Sequence, residues 1–316
     1  MTSLAGKVAI VTGGGRGLGR SHAMELAKLG AIVIVNDVGV AQFTGEGARE
    51  DPASEVVEAI MNSGGQAVVD RSDIADWDGA EGLVAQTVDR FGKLDILVNN
   101  AAISRFGSID EISREDWESS IRVNLTGTAS MCHWASAHWR AIGWAPGRRI
   151  VNTTSGVGLI PVKNNPMYVA SKAGVAALTV ACALELAELG VRANALAPVA
   201  RTRISESVAG DRLRATNGEF DKMDPANVSP LVGYLASPAC RFTGRIFGIV
   251  GSMLTLFDGW TAAQSFDNDG RRWTQADIEG ALARVPLQFQ SNNHSIPGVI
   301  PHLTPSDETV ELINDQ

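Results

Sequence analysis

The sequence predicts an α/β chain, built as a doubly wound sheet of seven parallel strands with a C-terminal extension. Three observations predict it. Short apolar runs alternate with helical stretches from Val8 to Val250, the order that builds parallel sheets with right-handed crossovers. A glycine-rich turn, Thr12-Gly-Gly-Gly-Arg-Gly-Leu-Gly19, separates the first run from the first helix. Finally, Thr12, Asp37, Asp73, Asn100, Ser155 and Pro198 all close or follow an apolar run. A parallel sheet gathers such residues at the carboxyl ends of its strands, where open α/β sheets bind ligands.

Val8 to Val11 is continuously apolar, as a strand covered on both faces requires. The turn after it has the spacing Thr12-Gly13-x-x-x-Gly17-x-Gly19, then a helix reaches about Leu29. Such a turn presents backbone N–H groups and a positive helix end to a pyrophosphate. Ile32 to Val35 is the second strand and ends at Asn36-Asp37. A carboxylate about 20 residues beyond a glycine turn accepts the hydroxyls of an adenosine ribose and repels a 2′-phosphate. Asp37 therefore favours NAD over NADP, while Arg16 in the turn pulls the other way.

A polar, Gly-rich loop from Gly39 to Pro52 precedes a helix from Ala53 to Ser63. Ala67 to Val69 is the third strand, with Asp73-Ile74 beyond it, and Trp77 to Phe91 is helical. Leu94 to Val98 runs into Asn99-Asn-Ala-Ala102. Ser113, with Asp116 three residues later, caps a helix passing through Asn124 to about Trp139, in the manner of a capping box. Arg149 to Thr154, Val191 to Ala197 and Ile246 to Val250 are the last strands, and an Ala-rich helix spans Tyr168 to Leu189.

That helix carries the central chemistry. Tyr168 and Lys172 stand four positions apart, and Ser155 lies thirteen positions before Tyr168. Spacing i,i+4 puts phenol and ammonium on one helical face. The nearby cation is expected to lower the phenol pKa by about two units, which takes roughly 2.7 kcal/mol. Tyr168 then serves as an acid/base near neutrality, with Ser155 donating a hydrogen bond to a substrate carbonyl.

Net charge −8 and a pI near 5.2 argue against nucleic acid or an anionic membrane as partner. Cys132, Cys182 and Cys240 lack ligand spacing, so they read as reduced core residues, with neither a disulfide framework nor a metal site. Lys7 interrupts the apolar residues near the N-terminus, and the sequence shows no run near the ~18 apolar residues of a membrane helix. The expectation is a cytoplasmic protein. His133 and His138 at i,i+5, and Trp134, Trp139 and Trp144, read as packing residues.

Taken in order, these motifs resemble the short-chain dehydrogenase/reductase family over roughly Leu4 to Val250. The resemblance rests on Thr12-Gly-x-x-x-Gly-x-Gly19, Asn99-Asn-Ala, Asn124, Ser155, Tyr168-x-x-x-Lys172 and Asn194-x-x-x-Pro198. It implies a Rossmann-type fold with Tyr168 as general acid/base and Ser155 positioning the carbonyl or hydroxyl. Lys172 would grip the nicotinamide ribose and lower the Tyr168 pKa, and Asn124 would hold a water relaying protons to Lys172. The implied cofactor contacts are Gly13, Arg16, Gly17, Leu18 and Gly19 at the turn, Asp37 at the ribose, and Asp73 and Ile74 at the adenine. Asn100, Ala101 and Ala102 would lie along the ribose, with Pro198, Val199 and Thr202 near the carboxamide, besides Tyr168 and Lys172 themselves. Ala102 and Val199 stand where the family usually has glycine, which alters loop geometry and removes no reacting group.

A narrower likeness appears in Val35-Asn-Asp-Val-Gly39, Pro230-Leu-Val-Gly-Tyr-Leu-Ala236 and Phe247-Gly-Ile-Val-Gly251. These look like the dehydrogenase domain of type 2 peroxisomal multifunctional enzymes, which implies a (3R)-hydroxyacyl-CoA substrate and NAD. The alternatives are a hydroxysteroid dehydrogenase, a 3-oxoacyl reductase, or a non-catalytic NAD sensor or scaffold. The expected partners are a small alcohol or ketone and further copies of the chain, as dimer or tetramer.

Residues 1–256 form the expected nucleotide-binding domain and 257–316 the extension. The segment Ala200 to Asp224 carries Arg201, Arg203, Arg212 and Arg214 and reads as a substrate lid, with some of its arginines either meeting CoA phosphates or forming a solvated helix face. In the extension, Trp260 and Trp273 with Ile278, Leu282 and Val285 predict an anchored helix, Thr274 to Arg284, over the cleft or a neighbouring subunit.

Overall fold

The computed structural model describes residues 4–39, 51–209, 220–258, 264–283 and 285. Its strands are β1 (Val8–Thr12), β2 (Ile32–Asn36), β3 (Gln66–Asp70), β4 (Ile96–Asn99), β5 (Arg148–Thr153), β6 (Val191–Val199), β7 (Ile246–Val250) and β8 (Met253–Phe257). They form one sheet in the order β3-β2-β1-β4-β5-β6-β7-β8. The first seven pair in parallel, as expected, and the eighth is an addition. Gly251 at φ +53° supplies the left-handed conformation for a tight turn, so β8 folds back antiparallel on β7 with Val250 opposite Met253. It ends one residue past the expected boundary at 256.

Alternation along the strands fills two apolar layers. Ala9, Val11, Val33, Val35, Ile96 and Val98 face one way and meet helices α1 (Gly17–Lys28), α2 (Pro52–Asn62) and α9 (Ser229–Ala236). Val8, Ile10, Ile34, Leu97 and Ile150 face the other and meet α3 (Trp77–Phe91), α5 (Gly127–Ala141) and α7 (Pro166–Glu185). The strands are apolar on both faces because both faces are covered. Shorter helices complete the chain: α4 (Arg114–Ile121), α6 (Gly156–Leu159), α8 (Arg203–Ala209) and α10 (Gln275–Leu282).

Ser113 caps α4 through its hydroxyl, 3.0 Å from the Asp116 N–H, as its spacing predicted. The expected continuous helix onward from Ser113 is instead interrupted at Arg122–Thr126 by a π-helical turn holding Asn124. Helix α7 starts at Pro166, ahead of the expected Tyr168, because Pro fits the first helical turn. Helix α7 is long and apolar enough to cross a membrane by length and composition only, a property the sequence reading missed. In this fold it packs on β5 and β6. All three cysteines are free and buried, and Trp139 is wholly buried while Trp144 is exposed.

The extension departs further from expectation. Thr274 caps α10 with a full capping box. Yet Trp273, Ile278 and Leu282 are 37%, 44% and 52% exposed, so they do not anchor the helix among the described residues. Trp260, Arg284, Arg212 and Arg214, the interior of the Gly39–Pro52 loop and the end of the tail lie outside the described residues.

Candidate active site

The strand order reverses between β1 and β4, the switch point at whose carboxyl ends open α/β sheets bind ligands. Thr12 closes β1, Asp37 follows β2, Asn100 follows β4, Asp73 and Ser155 lie just beyond β3 and β5, and Pro198 is near the end of β6. The shared edge expected from sequence is therefore present.

At the glycine turn, close approach decides the residue type. A Cβ on Gly19 would lie 2.0 Å from the Gly13 carbonyl oxygen, and one on Gly13, at φ +59°, 2.8 Å from the Ala101 Cα. Asn100 clamps the turn, its Nδ2 donating to the carbonyls of Thr12 (3.2 Å) and Gly13 (3.1 Å). The Thr12 hydroxyl in return accepts the N–H groups of Asn100 and Ala101. Asp37 braces it from the other side, Oδ2 accepting the Gly15 N–H at 3.1 Å and Oδ1 the Gly39 N–H at 2.9 Å. Helix α1 begins at Gly17 with neither a capping side chain nor an acidic residue in its first turn. Among the described residues the carboxylate bonded to the backbone of the turn is that of Asp37, at Gly15, and the remaining donor set fits the phosphates of a dinucleotide. Leu18 packs partly into the core beneath.

Beyond β3, the Asp73 carboxylate caps the Ala75 N–H at 2.9 Å and pairs with Arg122 at 3.0 Å. Ile74 is buried, its carbonyl accepting the Ser130 hydroxyl. Ala102 is half-buried. Pro198 and Val199 lie inside β6, paired with Ile249 and Val250, where the sequence reading has a loop. The parallel partner β7 is long enough to carry the strand two residues further. Thr202 follows, its methyl 3.5 Å from the position of a Cβ on Gly17.

Lys172 is 1% exposed, and its Nζ donates to the Thr153 carbonyl at 2.8 Å. It stands 5.7 Å from the centroid of the Tyr168 ring, so the expected common face is confirmed. Half-buried Tyr168 has the Ser155 side chain close enough to favour its ionised form. The expected fall in the phenol pKa does not appear. Burial pushes Tyr168 up to about 12, against which the Ser155 side chain works, and burial brings Lys172 down to about 7. The ammonium spends its hydrogen bond on a carbonyl, and desolvation of both groups outweighs their attraction.

Asn124 is fully buried; its Oδ1 accepts the Ile103 N–H at 2.8 Å and its Nδ2 donates to the Ile103 carbonyl and the Ser171 hydroxyl, each at 3.0 Å. Ser171 donates to the Tyr168 carbonyl at 2.9 Å, which ties Asn124 to the first turn of α7. Thr153, Thr154, Ile103 and Ser171 are the supporting residues that sequence reasoning missed. The Thr154 hydroxyl donates to the Lys172 carbonyl at 2.6 Å, and the Thr153 Oγ1 is buried without a partner among the described residues. Their contacts span distant parts of the chain, and no spacing rule announces them. Arg201, expected at CoA phosphates, is bound instead to the Asp221 carboxylate through both terminal nitrogens.

Residues 7–212 match the family model described as short chain dehydrogenase. The chain is 38% identical to the hydroxyacyl-CoA dehydrogenase ChsB1 of Mycobacterium tuberculosis, over 89% of each chain. It is 35% identical to the peroxisomal multifunctional enzyme type 2 of Mus musculus, over 95% of this chain and 42% of that one. The crystal structure of a short chain dehydrogenase from Mycobacterium avium superposes with a TM-score of 0.77 at 41% identity, covering 88% of this chain and 94% of that one.

Proposed function

The chain belongs to the short-chain dehydrogenase family, oxidoreductases acting on CH–OH groups, and from that premise we propose an NAD-dependent dehydrogenase that interconverts a 3-hydroxyacyl-CoA and its ketone. The observation that carries this reading is the convergence of Ser155, Tyr168 and Lys172 at the carboxyl end of β5. The named activity of the mycobacterial relative supports the substrate class.

The glycine turn and the start of α1 would hold the nucleotide phosphates, Asp37 the adenosine ribose, and Tyr168 and Lys172 the nicotinamide ribose. The cofactor, when bound, supplies the hydride acceptor and, when oxidised, a positive charge that favours phenolate. Ser155 holds the substrate oxygen beside the Tyr168 phenol. Tyr168 takes the alcohol proton in oxidation and returns it to the carbonyl oxygen in reduction. Lys172 then supplies or accepts the compensating proton. Asn124 acts one step away, fixing α7 through Ser171. We further infer that the protein works as a homo-oligomer built on α7, whose outer face is apolar.

Nucleotide reduction measured with a medium-chain (3R)-hydroxyacyl-CoA and with a hydroxysteroid, each with NAD and with NADP, tests the reading. Fastest turnover is expected for the thioester with NAD. Preference for the steroid, or for NADP, would overturn the corresponding part. Tyr168→Phe is expected to lower kcat by about 10³-fold while changing NADH affinity little; a variant of near wild-type rate would remove Tyr168 from the chemistry.

A further inference from the structure

We propose that Arg203, the first residue of α8, is a second cationic arm of the cofactor site, closing over the glycine turn opposite Arg16 to hold the phosphate bridge of the dinucleotide. The proposal rests on the nucleotide-dependent reading above and adds a phosphate ligand from a segment that begins beyond β6.

The contact between the glycine turn and that segment is made at Gly17. The methyl and Cβ of Thr202 lie 3.5 and 3.7 Å from where a Cβ on Gly17 would sit. The segment leaving β6 therefore touches the turn at the residue that opens α1. Arg16 is the neighbour of Gly17 on one strand of this contact, and Arg203 is the neighbour of Thr202 on the other. Thr202 and Ser205 fix the local course of the chain, the Ser205 hydroxyl accepting the Thr202 N–H at 2.8 Å and donating to the Ala200 carbonyl at 2.8 Å. Asp37 joins the group through the Gly15 N–H.

Electrostatics agree with that placement. Arg203 is exposed at the surface, yet desolvation and then the charge of Arg16 lower its guanidinium pKa, while Asp37 raises it. Arg203 and Arg16 therefore share one region of the turn with the Asp37 carboxylate, in a chain of net charge −8. Asp37 sets which anion fits. A carboxylate there would repel a phosphate on the ribose hydroxyl, whereas bridging phosphates would be held by the N–H groups at the start of α1. Arg201 cannot play this part, because both of its terminal nitrogens engage Asp221. The neighbouring acid on α8, Glu206, favours the charged form of Arg201.

A phosphate at Arg203 has two candidate sources, the dinucleotide and CoA, and the experiment separates them. NADH and ADP-ribose binding are measured by titration calorimetry on wild type, Arg203→Lys and Arg203→Ala, together with KM for a hydroxyacyl-CoA at saturating NAD. Arg203→Ala is expected to weaken both nucleotides by about tenfold, roughly one charge-assisted contact. Arg203→Lys is expected to recover most of that loss, because a bridging phosphate needs the charge more than the fork. The thioester KM should stay within about twofold, and melting without ligand should match wild type because the side chain is exposed. Unchanged NADH affinity in Arg203→Ala overturns the proposal while leaving the dehydrogenase reading intact. A loss confined to thioester KM also overturns it, by assigning Arg203 to CoA. Failure of wild type to bind either nucleotide overturns both.

Discussion

At the scale of single residues, the site is governed by two groups whose burial moves them apart. Lys172 sits at about 7 and Tyr168 at about 12, so between those values the amine is neutral while the phenol keeps its proton. Loss of the first proton makes the pair a base. Alcohol oxidation, as kcat/KM, should therefore rise with pH through about 7 and level off, and ketone reduction should fall through the same region. Lys172→Met leaves the phenol alone at its raised value, so the inflection near 7 should vanish and oxidation should keep climbing into alkaline pH. If the variant kept the wild-type inflection, the titration would belong to another group. The positions of these residues were legible in the sequence, since spacing alone puts Tyr168 and Lys172 on one face. The sign of the tyrosine shift was not. It depends on how much water each group loses and on the Thr153 carbonyl that takes the ammonium's hydrogen bond, neither of which appears in a spacing.

Elements were legible where a local rule decides them. Ser113 predicted a helix start by side-chain capping, and that cap is present; the helix expected from Thr274 begins on a capping box that was not foreseen. Glycine spacing predicted the turn before α1. What escaped was set by distant partners: the π turn around Asn124, held by Ile103 and Ser171, and β8, whose pairing waits on the turn at Gly251. The tie between α1 and α9 belongs to this group. His22 is fully buried, its Nδ1 2.8 Å from the Ser229 hydroxyl, which in turn donates to Ser21 at 2.7 Å. Burial lowers its pKa from 6.5 to about 3. The unfolded chain therefore binds the extra proton between those values, and the stability due to a neutral His22 is complete above 6.5 and drains away as pH falls. By pH 5 the drain is about 2 kcal/mol. His22→Gln removes the titration, so the gap in unfolding free energy between wild type and variant, from urea melts, should narrow by about that much between pH 7 and pH 5. A constant gap would mean that His22 is not the group.

For the whole molecule, the decisive feature is what the fold leaves uncovered. Helix α7 presents one face to β5 and β6, burying Val175, Thr179 and Cys182. Its other face carries exposed Ala177, then Val180 at 40% and Leu184 at 76% exposure. Those positions fall at i, i+3 and i+7, a single stripe along the helix. The small residue lets a second helix approach closely and the larger ones supply apolar area, the pattern of a face that buries itself against a copy. An assembly on this face would also account for the apolar composition of α7, with one face in the core and the other in the contact. A two-fold assembly would count each substitution twice, so Ala177→Glu with Leu184→Glu should cost on the order of 4 kcal/mol of association, nearly 10³-fold in the dissociation constant. Light scattering coupled to size exclusion should find wild type as a dimer or larger, and the double variant at the monomer mass or dissociating on dilution. Because these residues lie outside the core, the variant's circular dichroism should be unchanged. A wild-type monomer, or a double variant that stays assembled, would move the contact elsewhere, and the exposed edge strand with Met253, Leu254 and Leu256 would become the face to substitute next.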